Sequence, residues 1–451
     1  MSRKKYIQPG KCWLVACVLG ISLTGPSAWA QLKLPNLPDA ARSTVQLPPL
    51  PDNTADVTSR LDAIVRDTAS ELDSQSQRLL RVARVRALLR SNPTTLETDE
   101  NGAPVLKSQV ISLSPTSPSL QTAIDAGFVI VQDERMDVLD IRIVTLQAPK
   151  GMTARRALRR LRSLDRNGNY DYNHVYTQSA AGDSENSTSF SYSSPQVSTE
   201  SYSNTRIGLV DGGVDSTHPV FHNNHIHSWG CDQHAIASAH GTAVASLLAG
   251  QSEGFRGAAP GAELYAADIY CEQPVGGAIT RIAGALAWLA QLQVPVINIS
   301  LVGPDNLILK NLISSLIAHG HIVVAAVGND GPAAAPLYPA SYPGVIGVTA
   351  VDTHNRVLLE AGRGKQVMFA APGADLIAAT LRGEMINVRG TSFAAPLVAG
   401  LIAIHLTRPD VDAAKTTLTM LKNTARDLGS TGYDTTYGYG VVGESLRVIN
   451  K

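Results

Sequence analysis

Downstream of residue 205 the chain alternates short, wholly apolar runs with longer segments of helical period. Ile207-Gly-Leu-Val210 and Ile322-Val-Val-Ala-Ala-Val327 are short and uniformly apolar, which predicts strands buried on both faces, as in a parallel sheet. Residues 262–270 predict a further strand. Ala243-Val-Ala-Ser-Leu-Leu-Ala249 and the apolar run 393–404 predict buried helices. Upstream the pattern differs. From Thr54 to Asn92, Leu61, Ile64, Val65, Leu72, Leu79, Leu80 and Val82 recur as in a helix that ends at Pro93. Residues 128–131 and 139–146 predict strands, Thr153 caps an amphipathic helix to Leu164, and Tyr170 to Tyr176 is extended. Between them and the apolar alternation, 178–204 is rich in small polar residues and predicts a linker.

Three polar segments fall where an α/β sheet places chemistry. Asp211 ends the first strand, at the edge where open α/β sheets carry their sites. His240 precedes the 243–249 helix, so its ring projects from a first turn. Ser392 follows Gly390-Thr391 at the entry to the 393–404 helix, where its backbone N–H can face an anion. A carboxylate, an imidazole and a hydroxyl are the parts of a nucleophilic relay: the carboxylate fixes the imidazole's tautomer and the imidazole takes the hydroxyl's proton.

The segments Asp211-Gly-Gly-Val-Asp215, His240-Gly-Thr242, Gly328-Asn329 and Gly390-Thr-Ser392 resemble, in that order, those of subtilisin-like serine proteases. Asp215-Ser-Thr-His-Pro219, Gly257-Ala-Ala-Pro260 and Tyr437-Gly-Tyr-Gly-Val-Val442 extend the likeness over about residues 205–449. The resemblance implies a three-layer α/β domain with a mainly parallel sheet, and peptide-bond hydrolysis through an acyl-enzyme. Asp211 would orient, His240 act as base and then acid, Ser392 attack, and the Asn329 side chain donate to the oxyanion. It also implies that Ser300, Leu301, Val302 and Gly303 run along the substrate backbone, and that Val327, Gly328 and Leu337 line the pocket for the residue before the scissile bond. Val302, Val327 and Leu337 are larger than the residues often found there, which predicts a preference for small or slim side chains. Ala243, Ser246 and Phe393 depart from the family pattern without removing a catalytic group. Sedolisins share a Gly-Thr-Ser segment but use a glutamate base, and His240-Gly-Thr242 points away from them. The alternative from another class is a non-catalytic binding module whose N-terminal segment occludes its own cleft; the intact triad argues against it.

The order of elements over 120–177 resembles the end of a subtilase propeptide, a small α+β module that assists folding and lays its tail in the cleft. It implies self-cleavage within about 176–205. The chain thus divides into a signal peptide (1–30), a Pro-rich and helical segment of unread role (31–119), the propeptide-like module (120–177), a Ser-rich linker (178–204) and the peptidase domain (205–451). The first of these has a basic start (Arg3-Lys-Lys5, Lys11), an apolar stretch from Cys12 to Leu23, and Ala28-Trp-Ala30 as a small-x-small cleavage site after Ala30. Export to the periplasm or medium follows.

Composition narrows the partners. Lys plus Arg and Asp plus Glu both number 38, so no charge excess draws the chain to nucleic acid or an anionic membrane. The arginines of the 153–164 helix alternate with Ala157, Leu158, Leu161 and Leu164, the pattern of one packed and one solvated face. No later run is long enough for a membrane span. Loss of the signal peptide removes Cys12 and Cys17, leaving Cys231 and Cys271, the even count of one disulfide; two free thiols are the alternative. Histidines 218, 222, 225, 227 and 234 lack the paired spacing of a closed tetrahedral metal site. The expected reaction needs no cofactor. Subtilases often bind structural Ca²⁺, for which no carboxylate cluster here has readable ligand spacing.

Overall fold

The computed structural model describes residues 79–178, 201–233, 236–273 and 276–447. The expected signal peptide, the Pro-rich stretch, the expected helix before residue 79 and most of the linker lie outside them.

Residues 79–91 form helix α1. Asn92 ends it: its side-chain amide donates to Leu88 O while its carbonyl accepts from the Thr95 and Leu96 N–H groups. An antiparallel sheet follows, built from β1 (Leu96–Thr98), β2 (Pro104–Leu113), β3 (Val129–Met136), β4 (Ile141–Gln147) and β5 (Asn169–His174), in the order β1-β2-β4-β3 with β5 also on β2. Helices α2 (Ser117–Asp125) and α3 (Ala154–Leu164) cover one face, with Thr116 and Thr153 accepting from first-turn N–H groups as N-caps. The central strand β2 precedes residue 120, where the sequence put the start of the module, so part of the segment left without a role belongs to this sheet. Ser108, at φ 60°, breaks the strand's alternation, and the register of β2 on β5 shifts between Val105 and Val110. That interruption hides the strand from period counting. Leu164, expected on the packed face of α3, is exposed.

Strand alternation gives this sheet two apolar faces. Val110, Val144 and Leu146 meet Leu120, Ala157, Leu158 and Leu161 of the module's own helices. Ile111, Leu113, Ile141 and Ile143 join a second core with Ile282, Leu286, Leu312 and Leu316. Those last four belong to helices α5 (Ile279–Gln291) and α6 (Leu307–Ala318) of the large domain. Both sheets therefore pack on the same pair of helices.

After β6 (Thr177–Gln178), the large domain threads β7 (Arg206–Asp211), β8 (Ile226–Trp229), α4 (Ala239–Ala249), the short hairpin β9 (Gln251–Ser252) and β10 (Phe255–Arg256), and β11 (Glu263–Asp268). Beyond α5 come β12 (Val296–Ile299), β13 (Leu301–Val302), then α6, β14 (Ile322–Ala326), β15 (Ile346–Val351) and β16 (Val367–Pro372). The hairpin β17 (Leu376–Ala379) and β18 (Met385–Val388) leads to α7 (Thr391–Ala403) and α8 (Val411–Thr424). Seven strands form a sheet in the order β16-β15-β14-β12-β7-β11-β8, each neighbour parallel. α5 and α6 bury one face, while α4 and α7 pack on the other. This is the expected three-layer α/β domain. Gly208 in β7 permits the close layer: a Cβ there would stand 3.0 Å from both δ-methyls of Leu289 on α5.

Candidate active site

The C-terminal ends of β7, β14 and β12 converge with the N-termini of α4 and α7. Asp211 closes β7, almost fully buried. Its Oδ1 accepts from its neighbour Gly212 N (2.6 Å) and from His240 Nδ1 (2.9 Å). With Nδ1 donating, Nε2 of His240 is the imidazole's lone-pair nitrogen; it is buried and has no hydrogen-bond partner among the described residues. α4 can bring His240 this close because Gly241 has no side chain: a Cβ there would lie 2.3 Å from Gly212 O. Ser238 caps the helix, accepting from Gly241 N and donating to Gly213 O. Across the helix pair, the His240 ring sits 5.3 Å from that of Phe393, the residue after Ser392.

Ser392 lies in the first turn of α7, fully buried. Four residues on, Pro396 has no N–H, so the Ser392 carbonyl loses its helical donor. Ser300 Oγ takes the vacant place, donating to Ser392 O at 3.1 Å while accepting from Asn298 Nδ2 at 2.9 Å. Gly390 introduces the turn at φ 137°, a backbone region open to glycine, and a Cβ would stand 3.0 Å from Asn329 Nδ2. The Asn329 Oδ1 accepts from Thr391 N (3.1 Å), which makes Nδ2 the donating end of that amide, and Thr391 Oγ1 accepts from Gly328 N (3.2 Å). The loop that carries Asn329 and the turn that carries Ser392 are thus interlocked by two hydrogen bonds.

The residues expected along the substrate separate into two groups. Val302, Gly328 and Leu337 come together: a Cβ on Gly328 would meet Leu337 Cδ1 at 2.5 Å and Val302 Cγ1 at 3.6 Å. Val327 does not join them, because it faces the opposite side of the chain, with its Cγ1 3.3 Å from a Cβ position on Gly347 of β15, inside the core. Leu301 is likewise a core residue and Ser300 points to Ser392. Gly303 pairs with Tyr338 through two backbone hydrogen bonds.

The tail of the propeptide-like module, expected in the cleft from the resemblance, lies on this strand; the register is what the sequence did not reveal. β6 pairs antiparallel with β13, Thr177 opposite Val302 and Gln178 opposite Leu301. Gln178 Nε2 reaches Asp211 Oδ1 at 3.4 Å. Just before, Tyr176 is fully buried; its hydroxyl donates to Pro304 O (2.5 Å), its N–H donates to Gly277 O (2.8 Å), and its ring lies 2.5 Å from where a Cβ on Gly303 would stand. Burial pushes the Tyr176 hydroxyl far above the ordinary tyrosine value.

Asp268, level with Asp211 on the adjoining strand, was also missed. Burial, with the nearby Asp211 charge adding to it, pushes its carboxyl up, although the Cys271, Tyr270 and Ile236 N–H groups oppose this. The expected Cys231–Cys271 disulfide is present, tying the end of β11 to the segment before α4. With Asp268 these cysteines form the one tight His/Cys/Asp/Glu cluster among the described residues, and their sulfurs are bonded to each other. His218 caps a turn through Nδ1 and bonds Glu384 O through Nε2, and His227 bonds Glu263; His234 lies outside the described residues.

A parallel sheet that gathers a carboxylate, an imidazole and a buried serine at helix N-termini defines a subtilisin-like three-layer α/β architecture. Residues 202–440 match the sequence model of the subtilase family, Peptidase_S8, and the chain belongs to that family. It is 31% identical over 259 residues to subtilisin E of Bacillus subtilis (strain 168), covering 55% of this chain and 67% of the relative. It is also 31% identical over 259 residues to subtilisin of Bacillus pumilus, covering 93% of that protein. Fervidolysin from Fervidobacterium pennivorans, a keratinolytic enzyme related to subtilisin, superposes with a TM-score of 0.65 at 23% identity, over 78% of this chain and 62% of that one, a likeness of fold. The protein is a serine-type endopeptidase acting on peptides or proteins. The non-catalytic alternative is not favoured. Among the described residues no helix is long and apolar enough to cross a membrane.

Proposed function

We propose that the chain is an exported zymogen that cuts itself and then cuts other proteins with the same site. Ser392 attacks the carbonyl, His240 Nε2 takes its proton and returns it to the leaving amine, and Asp211 holds the tautomer and stabilises the imidazolium. The Asn329 amide and the Ser392 N–H carry the oxyanion. The Asp211–His240 bond and the fixed orientation of the Asn329 amide support these roles. No cofactor is required by these steps. Export rests on the signal sequence at 1–30.

The observation that carries the zymogen reading is the β6–β13 pair. An extended substrate adds a strand through backbone hydrogen bonds, and here the chain's own segment takes that position with Gln178 touching Asp211. The register supports a choice of bond. Gln178, the last residue of β6, stands opposite Leu301, one residue beyond Ser300, whose hydroxyl donates to the Ser392 carbonyl. The proposed cut is therefore just past β6, between Ser179 and Ala180. The module is also fastened away from the cleft: Asp171 accepts from Leu307 N (2.6 Å) at the start of α6, and Asn173 from Thr280 N (3.4 Å) at the start of α5, which has no side-chain cap of its own.

Intact mass of the purified chain beside Ser392→Ala tests this. The wild type should appear as a shortened enzyme and a fragment ending at residue 179, and the variant as one uncut chain. Equal masses for the two would refute self-processing, and a fragment ending before Thr177 would refute the register.

A further inference from the structure

We infer that α1 is a second arm of the zymogen contact, a basic helix that clamps the oxyanion loop through Asp330; this rests on the reading that the N-terminal module occupies the cleft. Arg81 Nη1 donates to Asp330 Oδ2 at 2.7 Å, joining residues 249 positions apart, with side chains 26% and 18% exposed. Asp330 is placed to matter. It follows Asn329, whose Oδ1 holds the Thr391 N–H, and precedes Gly331, whose N–H is held by Glu360 O. Glu360 in turn takes both ends of the Arg389 guanidinium, one residue before Gly390. A grip on Asp330 thus bears on the loop and turn that set Asn329 and Ser392.

The helix suits this task by charge and by attachment. Its described residues include Arg81, Arg84, Arg86 and Arg90 and no acidic residue, so its field favours a carboxylate along its length. Only the short turn at Asn92–Thr95 separates it from β1, which pairs with β2, and β2 pairs with β5, the strand that leads to β6. One folded module therefore holds β13 through β6 and the Asn329–Gly331 loop through α1. The segment that the sequence left without a role acquires one: it keeps the assembled site latent from a second point.

The test uses the full chain with Ala180→Pro, a proline after the scissile bond that blocks self-cleavage, and measures how fast a fluorophosphonate labels the uncut form. Arg81→Glu should raise that rate roughly tenfold, the scale of a part-exposed charge-assisted hydrogen bond, and Arg81→Lys, which keeps the charge, should stay near the wild-type rate. Tyr176→Ala, which empties the β6 anchor, is the parallel control. If Tyr176→Ala releases labelling and Arg81→Glu does not, the clamp is overturned while the zymogen reading stands. If neither does, the zymogen reading itself fails. Should Arg81→Glu not yield soluble chain, Arg81→Met, which keeps the apolar stem, is read by the same criteria.

Discussion

Replacing Ser300 by alanine isolates the hydrogen bond that Pro396 makes necessary. The substitution removes the donor to Ser392 O and the acceptor for Asn298 Nδ2, two buried polar groups. Leaving a buried polar group without a partner costs about 1–3 kcal/mol, so the loss of both predicts about 2–6 kcal/mol. At roughly 2–4 °C per kcal/mol for a domain of this size, Tm should fall on the order of 10 °C. The decisive comparison is a double-mutant cycle with Pro396→Ala, measured by urea unfolding of the full chain carrying Ser392→Ala to block self-cleavage. Alanine at 396 returns the N–H that the Ser392 carbonyl lacks, so Ser300→Ala should cost about 1–2 kcal/mol less in that background. Equal costs in both backgrounds, within about 0.5 kcal/mol, would refute the idea that Ser300 substitutes for the missing helical donor.

Asn329→Ala should lower kcat of the processed enzyme by about 10²–10³ with little change in KM; a loss under tenfold in steady-state assays would remove it from the oxyanion role. Val302 and Leu337, packed about Gly328, should favour small residues before the scissile bond, and a peptide-library profile led by Phe, Tyr or Leu would contradict that. Burial pushes the His321 imidazole below its ordinary value, only partly offset by its 2.7 Å bond to Val294 O. A depressed histidine favours the neutral folded state, so its contribution is complete above about pH 6.5 and is lost as pH falls through the lowered folded value. His321→Asn should therefore flatten the fall of Tm between about pH 6.5 and 5, and parallel Tm profiles would show that another group titrates.

Sequence pattern was most informative where one residue's surroundings are local. β7 and β14 were legible because strands buried on both faces are uniformly apolar, and Thr153 because a cap and its amphipathic helix are contiguous. The segments around Asp211, His240, Asn329 and Ser392 were legible because each needs a glycine or a helix start within one or two positions. Long-range pairings left no such trace. Nothing in Thr177-Gln178 announces β13, nor does Arg81 announce Asp330. The family resemblance implies a pocket position for Val327, but at the end of a strand successive side chains point to opposite faces, and the face it takes is the core. Pro396 was visible in the helix, whereas the serine that answers it lies on another element.

Asn306 has a bearing on timing. Its Oδ1 accepts from the Ile308 and Leu309 N–H groups at the start of α6, and its Nδ2 donates to Tyr172 O (3.0 Å) and to His174 Nδ1 (2.9 Å) of the module. The module's atoms among these, on Tyr172 and His174, lie before Gln178. The proposed cut after β6 would break none of these bonds, so a severed module would stay seated with the same contacts as before. Under the proposed self-cleavage, the clock of activation would be the lifetime of a non-covalent complex: scission would be a prerequisite, and proteolytic activity would rise only as fast as the freed fragment dissociates or is itself digested.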